Sequence, residues 1–316
     1  MTELPINRVA LPEGRVRDAT AENWVDAFAP PRLRPFLRLS RADRPIGTWL
    51  LLLPCWWGLL FGILDSGWAL VDLWLFPACT LGAFLMRGAG CTWNDVIDKE
   101  IDERVARTRS RPLPSGQVTG REALFWAIGQ SLAAFLILIT FNAAAIWLGI
   151  LSLLPVAVYP FAKRFTWWPQ VFLGIAFNWG ALLMYAAHSG GIGIAPILLY
   201  LAGIAWTLHY DTIYAHQDRE DDALIGVKST ARLFETETDQ WLAIFATCVG
   251  GFGLLGLLAA GGGLFSILGL AAMVAHMFSQ RTRFDMTDPE RCLALFRESR
   301  WGGVGFAAGL FLDTLF

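Results

Sequence analysis

Two acidic clusters hold the residue types best able to do chemistry in this chain. The first runs Asn94-Asp95-Val96-Ile97-Asp98-Lys99-Glu100-Ile101-Asp102. On a helix, Asn94, Asp98 and Asp102 are spaced i, i+4, i+8 and share one face, drifting about 40° per step. Arg87 and Cys91 extend that face backwards. The second cluster holds Asp211, Tyr214, Asp218 and Asp222, with Glu220 and Asp221 beside them. Its spacings of 3, 4 and 4 again give one face. Carboxylates repeated at i, i+4 repel, so each stripe needs counter-charge. Lysines could supply it, but a hard divalent cation does so better. Mg²⁺ takes one or two carboxylates and completes its shell with water and substrate phosphates. Two facing stripes would clamp a Mg²⁺-bridged diphosphate. A solvated helix end explains any single run of this kind. Two runs with matched geometry favour the clamp.

Cations surround both clusters. Arg104, Arg107, Arg109 and Arg111 come after the first and lead into the turn-rich Pro112-Leu113-Pro114-Ser115-Gly116. Lys228 comes after the second. Arg107, Arg111 and Lys228 are candidates for phosphate oxygens that the metal leaves free. Lys163-Arg164, just past Tyr159-Pro160-Phe161, could bind an anionic co-substrate at a bundle mouth. Topogenic charge is the competing explanation for each of these basic residues.

The elements that must position these groups are membrane helices. Hydrophobic residues make up 55% of the 316 and charged residues 16%, against roughly 45–50% and about 25% in average soluble domains. Mean hydropathy is +0.47. The net charge of −2 argues against a nucleic-acid binder. Nine spans are expected, near 46–64, 70–93, 122–140, 143–161, 169–187, 192–210, 240–259, 262–279 and 300–316. Runs such as Leu50-Leu51-Leu52-Leu53 lack the alternation of a barrel strand. The fold class expected is all-α, a polytopic bundle around a central cavity. Of the 25 Lys and Arg, all but Arg87 fall in 1–45, 94–121, 162–168, 210–239 and 280–300. By the positive-inside rule the N-terminus and the acidic loops are cytoplasmic. The first 40 residues mix Arg with Glu3, Glu13, Asp18, Glu22 and Asp26, unlike a transit peptide. Residues 31–39 read as an amphipathic approach to the first span or a plain basic flank. The cysteines and histidines show no metal spacing.

A greasy bundle with a diphosphate clamp at one mouth fits a substrate with a polar head and a long apolar tail, such as a polyprenyl diphosphate. Trp206, Tyr210, Phe177 and Trp179 are candidates to face an allylic cation, or simply to pack. Asn178, in the fifth span, needs a polar partner.

At these residues the chain resembles the UbiA-type intramembrane aromatic prenyltransferases, from about Arg41 to Phe316. Arg41-Ala42-Asp43-Arg44-Pro45-Ile46-Gly47-Thr48 is similar to the family's opening, with Arg44 where Lys is common. Asn94, Asp95, Asp98 and Asp102 match the signature NDxxDxxxD, and Arg107-Thr108 with Arg111 to Gly116 match the family's next segment. Tyr159 to Arg164 and Pro169-Gln170 resemble the hydroxybenzoate branch. Asp211 to Ala215, then Asp218, Asp221, Asp222 and Ile225 to Thr230, resemble the second signature. The resemblance implies Mg²⁺-dependent transfer of a polyprenyl group to the carbon ortho to the hydroxyl of 4-hydroxybenzoate, a step of ubiquinone biosynthesis. It implies that Asn94, Asp98, Asp102, Asp218 and Asp222 hold Mg²⁺-diphosphate. Asp98 and Asp218 are then essential to catalysis, and Asp211 orients or deprotonates the phenol. Lys163 and Arg164 bind the acceptor carboxylate. The expected setting is a bacterial inner membrane, with residues 1–40 as an N-terminal segment of no assigned function and 41–316 as the transferase domain. A transporter, whose acids sit near the midplane, and other branches of the superfamily are the alternatives.

Overall fold

The computed structural model describes residues 16, 19, 20, 22–105 and 108–316. Every regular element among them is helical. In chain order these are α1 (Trp24–Phe28), α2 (Arg34–Leu39), α3 (Ile46–Ser66), α4 (Asp72–Arg104), α5 (Gly120–Leu138), α6 (Ala143–Leu151), α7 (Leu153–Phe165), α8 (Pro169–Ser189), α9 (Ile194–Ala215), α10 (Arg219–Ile225), α11 (Thr230–Phe234), α12 (Thr238–Ala259), α13 (Leu264–Arg283) and α14 (Pro289–Asp313). Seven stretches among the described residues are long and apolar enough to cross a membrane, with α6 and α7 forming one and α11 and α12 another. Helices α9 and α14 are also long, 22 and 25 residues. All nine expected spans therefore fall on helices. The last begins earlier than expected, at Pro289 rather than 300. Asp288 caps it through Arg291 N at 2.9 Å, and Pro289 sits where a missing N–H costs nothing.

The chain divides into two compact units, one of 1–45 with 88–129 and one of 46–87 with 130–316. In the smaller unit, Leu39, Leu113, Val118 and Ala123 pack with Phe36 and Val96. Val25, Ala29 and Ala42 pack with Leu37. Thr119 and Glu122 form a reciprocal cap at the start of α5: Glu122 N donates to Thr119 Oγ1 (3.3 Å) and Thr119 N to Glu122 Oε2 (2.8 Å).

The larger unit is a helix bundle whose core centres on Trp57, Phe61, Trp206 and Phe306. Small residues let the backbones close. A Cβ on Gly58 of α3 would lie 2.1 Å from Ala181 O of α8, and one on Gly309 of α14 would lie 2.3 Å from Phe265 O of α13. At the end of this unit that carries the short turns, polar side chains tie helix ends together. His188 Nδ1 meets Asp72 Oδ1 at 2.7 Å, and its Nε2 meets Ser66 Oγ at 2.8 Å. Asp313 accepts from the N–H groups of Gly263, Phe265 and Ser266 at the start of α13. Trp206 and Tyr210, candidates to face a reacting cation or simply to pack, are each 1% exposed and packed ring to ring. Trp179 Nε1 donates to Leu148 O at 2.8 Å. Trp206 and Tyr210 fill the core because a large aromatic gains most from complete burial.

Candidate active site

The first acidic stripe stands on one unbroken helix. Because α4 continues to Arg104, Asn94, Asp98 and Asp102 do share a face. This end of α4 belongs to the smaller unit. Asp98 and Asp102 are buried, 2% and 5% exposed, and Asp95, one step off that face, is 0% exposed. Exposed Lys99 and Glu103 form a loose pair at 3.9 Å on the solvated side. Arg111 Nη1 donates to Asp102 Oδ2 at 2.8 Å and stands 3.5 Å from Asp95 Oδ1. Arg41 Nη2 donates to the same Asp95 oxygen at 2.5 Å. Arg41 holds φ at 57°, a region that a non-glycine residue enters at a cost. The strain is offset by the buried ion pair it delivers. Thr108 Oγ1 donates to Asp102 O at 2.9 Å and folds the chain back so that Arg111 returns to the helix end. Arg107 lies outside the described residues.

The second cluster differs from the straight helix its spacing suggested. Helix α9 stops at Ala215, a 3₁₀ turn spans His216–Asp218, and α10 comes next. Asp211, Asp218 and Asp222 therefore lie on three elements instead of one face. The break has a tertiary cause. His216 is buried, its ring 5.0 Å from that of Phe284, with Nε2 at 3.2 Å from Thr238 Oγ1. Burial, with Arg219 nearby, pushes the His216 imidazole down to about 4, so it is neutral at pH 7.

Around Asp211 the larger unit gathers groups that sequence spacing did not connect. Gln170 of α8 and the Arg87 charge both act on the Asp211 carboxylate. The Arg87 guanidinium lies 5.1 Å from the Phe177 ring centroid. It occupies space that a Cβ on residue 47 would take, 2.4 Å from its Nη2, which explains Gly47. Tyr214 stacks at 4.4 Å on Phe296. The polar partner that Asn178 needs is Thr207, whose Oγ1 it meets at 2.9 Å. The two basic sites expected to serve different substrates converge. Lys228 N donates to Lys163 O at 3.1 Å, and Lys228 Nζ stands 3.4 Å from Phe165 O. Arg164 turns onto Phe161, 5.4 Å from its centroid. Asp222 works through its backbone too, its carbonyl accepting from Val227 N at 3.0 Å where Gly226 turns the chain at φ 75°.

Acidic residues at the ends of α4 and α9, with Arg41 and Arg111 paired at the first and the Arg87 charge acting on the second, make a phosphate-handling enzyme the natural comparison. A sequence model of the UbiA prenyltransferase family matches residues 51–307. The chain belongs to the UbiA prenyltransferase family. It is 44% identical over 96% of its length to the mitochondrial 4-hydroxybenzoate polyprenyltransferase of Bos taurus, covering 81% of that protein. It is 41% identical to the human protein of the same name, with the same coverage of each chain, 96% and 81%. The apo structure of a UbiA homolog from Aeropyrum pernix K1 superposes with a TM-score of 0.73 at 24% identity, over 84% of this chain and 97% of that one. A UbiA homolog from Archaeoglobus fulgidus, solved with GPP and Mg²⁺ bound, gives a TM-score of 0.65 at 22% identity, over 89% and 100%. This UbiA family member is thus a polytopic membrane transferase with the all-helical fold of those homologs.

The donor set suits a hard cation. Asn94, Asp98 and Asp102 offer oxygen alone, and two of the three are carboxylates removed from water. Among the described residues no three His, Cys, Asp or Glu side chains are gathered closely enough to hold a metal ion by themselves. An open arrangement of one or two carboxylates is what Mg²⁺ takes when substrate phosphates complete its shell.

Proposed function

We propose that this UbiA family member transfers a polyprenyl group from polyprenyl diphosphate to the ring carbon ortho to the hydroxyl of 4-hydroxybenzoate, a step of ubiquinone biosynthesis. The names of the relatives support the acceptor. The observation that carries the chemistry is the buried group Asp98, Asp102 and Arg111 at the end of α4. Buried carboxylates need a cation or a metal as partner, and a cluster of them beside an arginine marks a candidate functional site.

Asn94, Asp98 and Asp102 are the proposed Mg²⁺ ligands of the smaller unit, and Asp218 and Asp222 those of the larger. Mg²⁺ held there supplies positive charge to the departing diphosphate. Arg107, Arg111 and Lys228 bind the remaining phosphate oxygens. The allylic C–O bond breaks with its electron pair on the diphosphate. The ring carbon then forms the new C–C bond and loses its proton. Asp211 orients the phenol or takes its proton, which raises ring nucleophilicity. Lys163 and Arg164 are the proposed partners of the acceptor carboxylate. Arg87 is a second candidate for that role, favoured by its charge beside Asp211.

The proposal extends to place: a bacterial plasma membrane, with the N-terminus and acidic helix ends in the cytoplasm. The distribution of Lys and Arg supports that orientation. The relatives are named as mitochondrial, so fractionation of the native cells tests the compartment. Maleimide labelling of an E100C variant from each side of the membrane tests the orientation. Activity is tested with membranes, Mg²⁺, 4-hydroxybenzoate and a series of prenyl diphosphates, with and without EDTA. Prenylated hydroxybenzoate that disappears with EDTA supports the proposal.

A further inference from the structure

Gln170 is the second residue of α8 and is 4% exposed. Its Oε1 accepts from the backbone N–H of Thr230 at 3.2 Å. Its side chain also acts electrostatically on the Asp211 carboxylate. A side-chain amide accepts through oxygen and donates through nitrogen at once; a carboxylate only accepts, and an alkyl chain does neither. Thr230 opens α11 and is 0% exposed. Its hydroxyl stands 2.7 Å from Thr212 Oγ1, one residue past Asp211. Two residues before Thr230, Lys228 is tied by its own N–H to Lys163 O. One buried amide therefore joins the acid-bearing end of α9 to the loop that carries Lys228, and through it to the end of α7.

We propose that Gln170 is a positioning residue for the transfer reaction: by holding the Asp211 carboxylate and the Thr230 N–H together, it fixes the Lys228 loop relative to that carboxylate. This rests on the prenyl-transfer reading above. Two substitutions separate the two contacts. Q170E keeps an acceptor for Thr230 but sets a like charge against Asp211. Q170L removes the amide's influence on Asp211 and leaves the Thr230 N–H without its partner.

Both variants are assayed in membranes and, after purification in detergent, by amide hydrogen exchange. Q170E lowers kcat about tenfold or more and leaves the KM for prenyl diphosphate within about twofold, because the Lys228 loop stays held. Q170L lowers kcat comparably and also raises that KM about tenfold. Exchange at residues 228–232 is slow in the wild type and Q170E and fast in Q170L. Wild-type kcat and KM in both variants, or unchanged exchange in folded Q170L, overturns the proposal. If Q170L does not accumulate, Q170E decides, and an undiminished kcat there overturns it. If the wild type transfers no prenyl group, the prenyl-transfer reading falls instead, and unchanged exchange in Q170L still overturns the link from Gln170 to the loop.

Discussion

Arg111 closes on Asp102 at 2.8 Å, nine residues on in the chain and past the turn that ends α4. The pair joins a residue assigned to metal with one assigned to phosphate. An Arg held by a carboxylate is already aimed where an anion will arrive, and it exchanges one oxygen partner for another. We expect R111A to raise the KM for prenyl diphosphate and to lower kcat/KM by about 100-fold, and R111K to recover little of it, since Lys lacks the planar fork. Steady-state kinetics with varied prenyl diphosphate check this. Full recovery by R111K would assign Arg111 to bulk charge alone.

Asp98 and Asp218 are expected to be indispensable. D98A and D218A abolish turnover while the purified proteins keep the wild-type helical circular dichroism and elution volume. Full activity in either one contradicts the assigned metal ligands.

Asp95 has a different task. It is completely buried between Arg41 and Arg111. D95A leaves a buried guanidinium uncompensated, a loss of about 3–5 kcal/mol. The expected result is a lower melting temperature in detergent together with loss of activity. If D95A melts like the wild type, Asp95 does not lock the site as described.

The opposite kind of variant is at His188. Its side chain is 3% exposed and that of Asp72 is 0% exposed, at 2.7 Å. H188A removes one of the hydrogen bonds to the buried Asp72 carboxylate, whose Oδ2 keeps the Ala69 N–H, and costs about 1–3 kcal/mol of stability. Both KM values stay at wild type in protein assayed below its melting temperature, because the acidic helix ends are untouched. A changed KM would tie this pair to the substrate sites.

The acceptor carboxylate has two candidate receptors. R164A is expected to raise the KM for 4-hydroxybenzoate with kcat nearly unchanged, as removal of uniform binding does. An unchanged KM in R164A with a raised one in R87M moves the assignment to Arg87.

How much the sequence reveals depends on the range of the forces involved. The stripe Asn94, Asp98, Asp102 is legible because α4 runs on without a break, so helical arithmetic holds. The second stripe is not. Its helix is ended by His216, whose partners Thr238 and Phe284 are distant in sequence. The early start of α14 does carry a local sign, Asp288 before Pro289, but hydropathy places the apolar stretch after the charged first turns. Gln170 and Arg87 stand in the sequence as a motif residue and a stray cation. Their meeting at Asp211 depends on how α8, α9 and the middle of α4 pack, which no spacing rule encodes.

The central claim is Mg²⁺-dependent prenyl transfer to a hydroxybenzoate. Membranes holding the protein, supplied with labelled prenyl diphosphate, 4-hydroxybenzoate and Mg²⁺, test it most directly. The account predicts labelled 3-polyprenyl-4-hydroxybenzoate with equimolar diphosphate, both abolished by EDTA and by D98A. Product formed equally well with EDTA, or diphosphate released with no carbon–carbon bond to the ring, would contradict it.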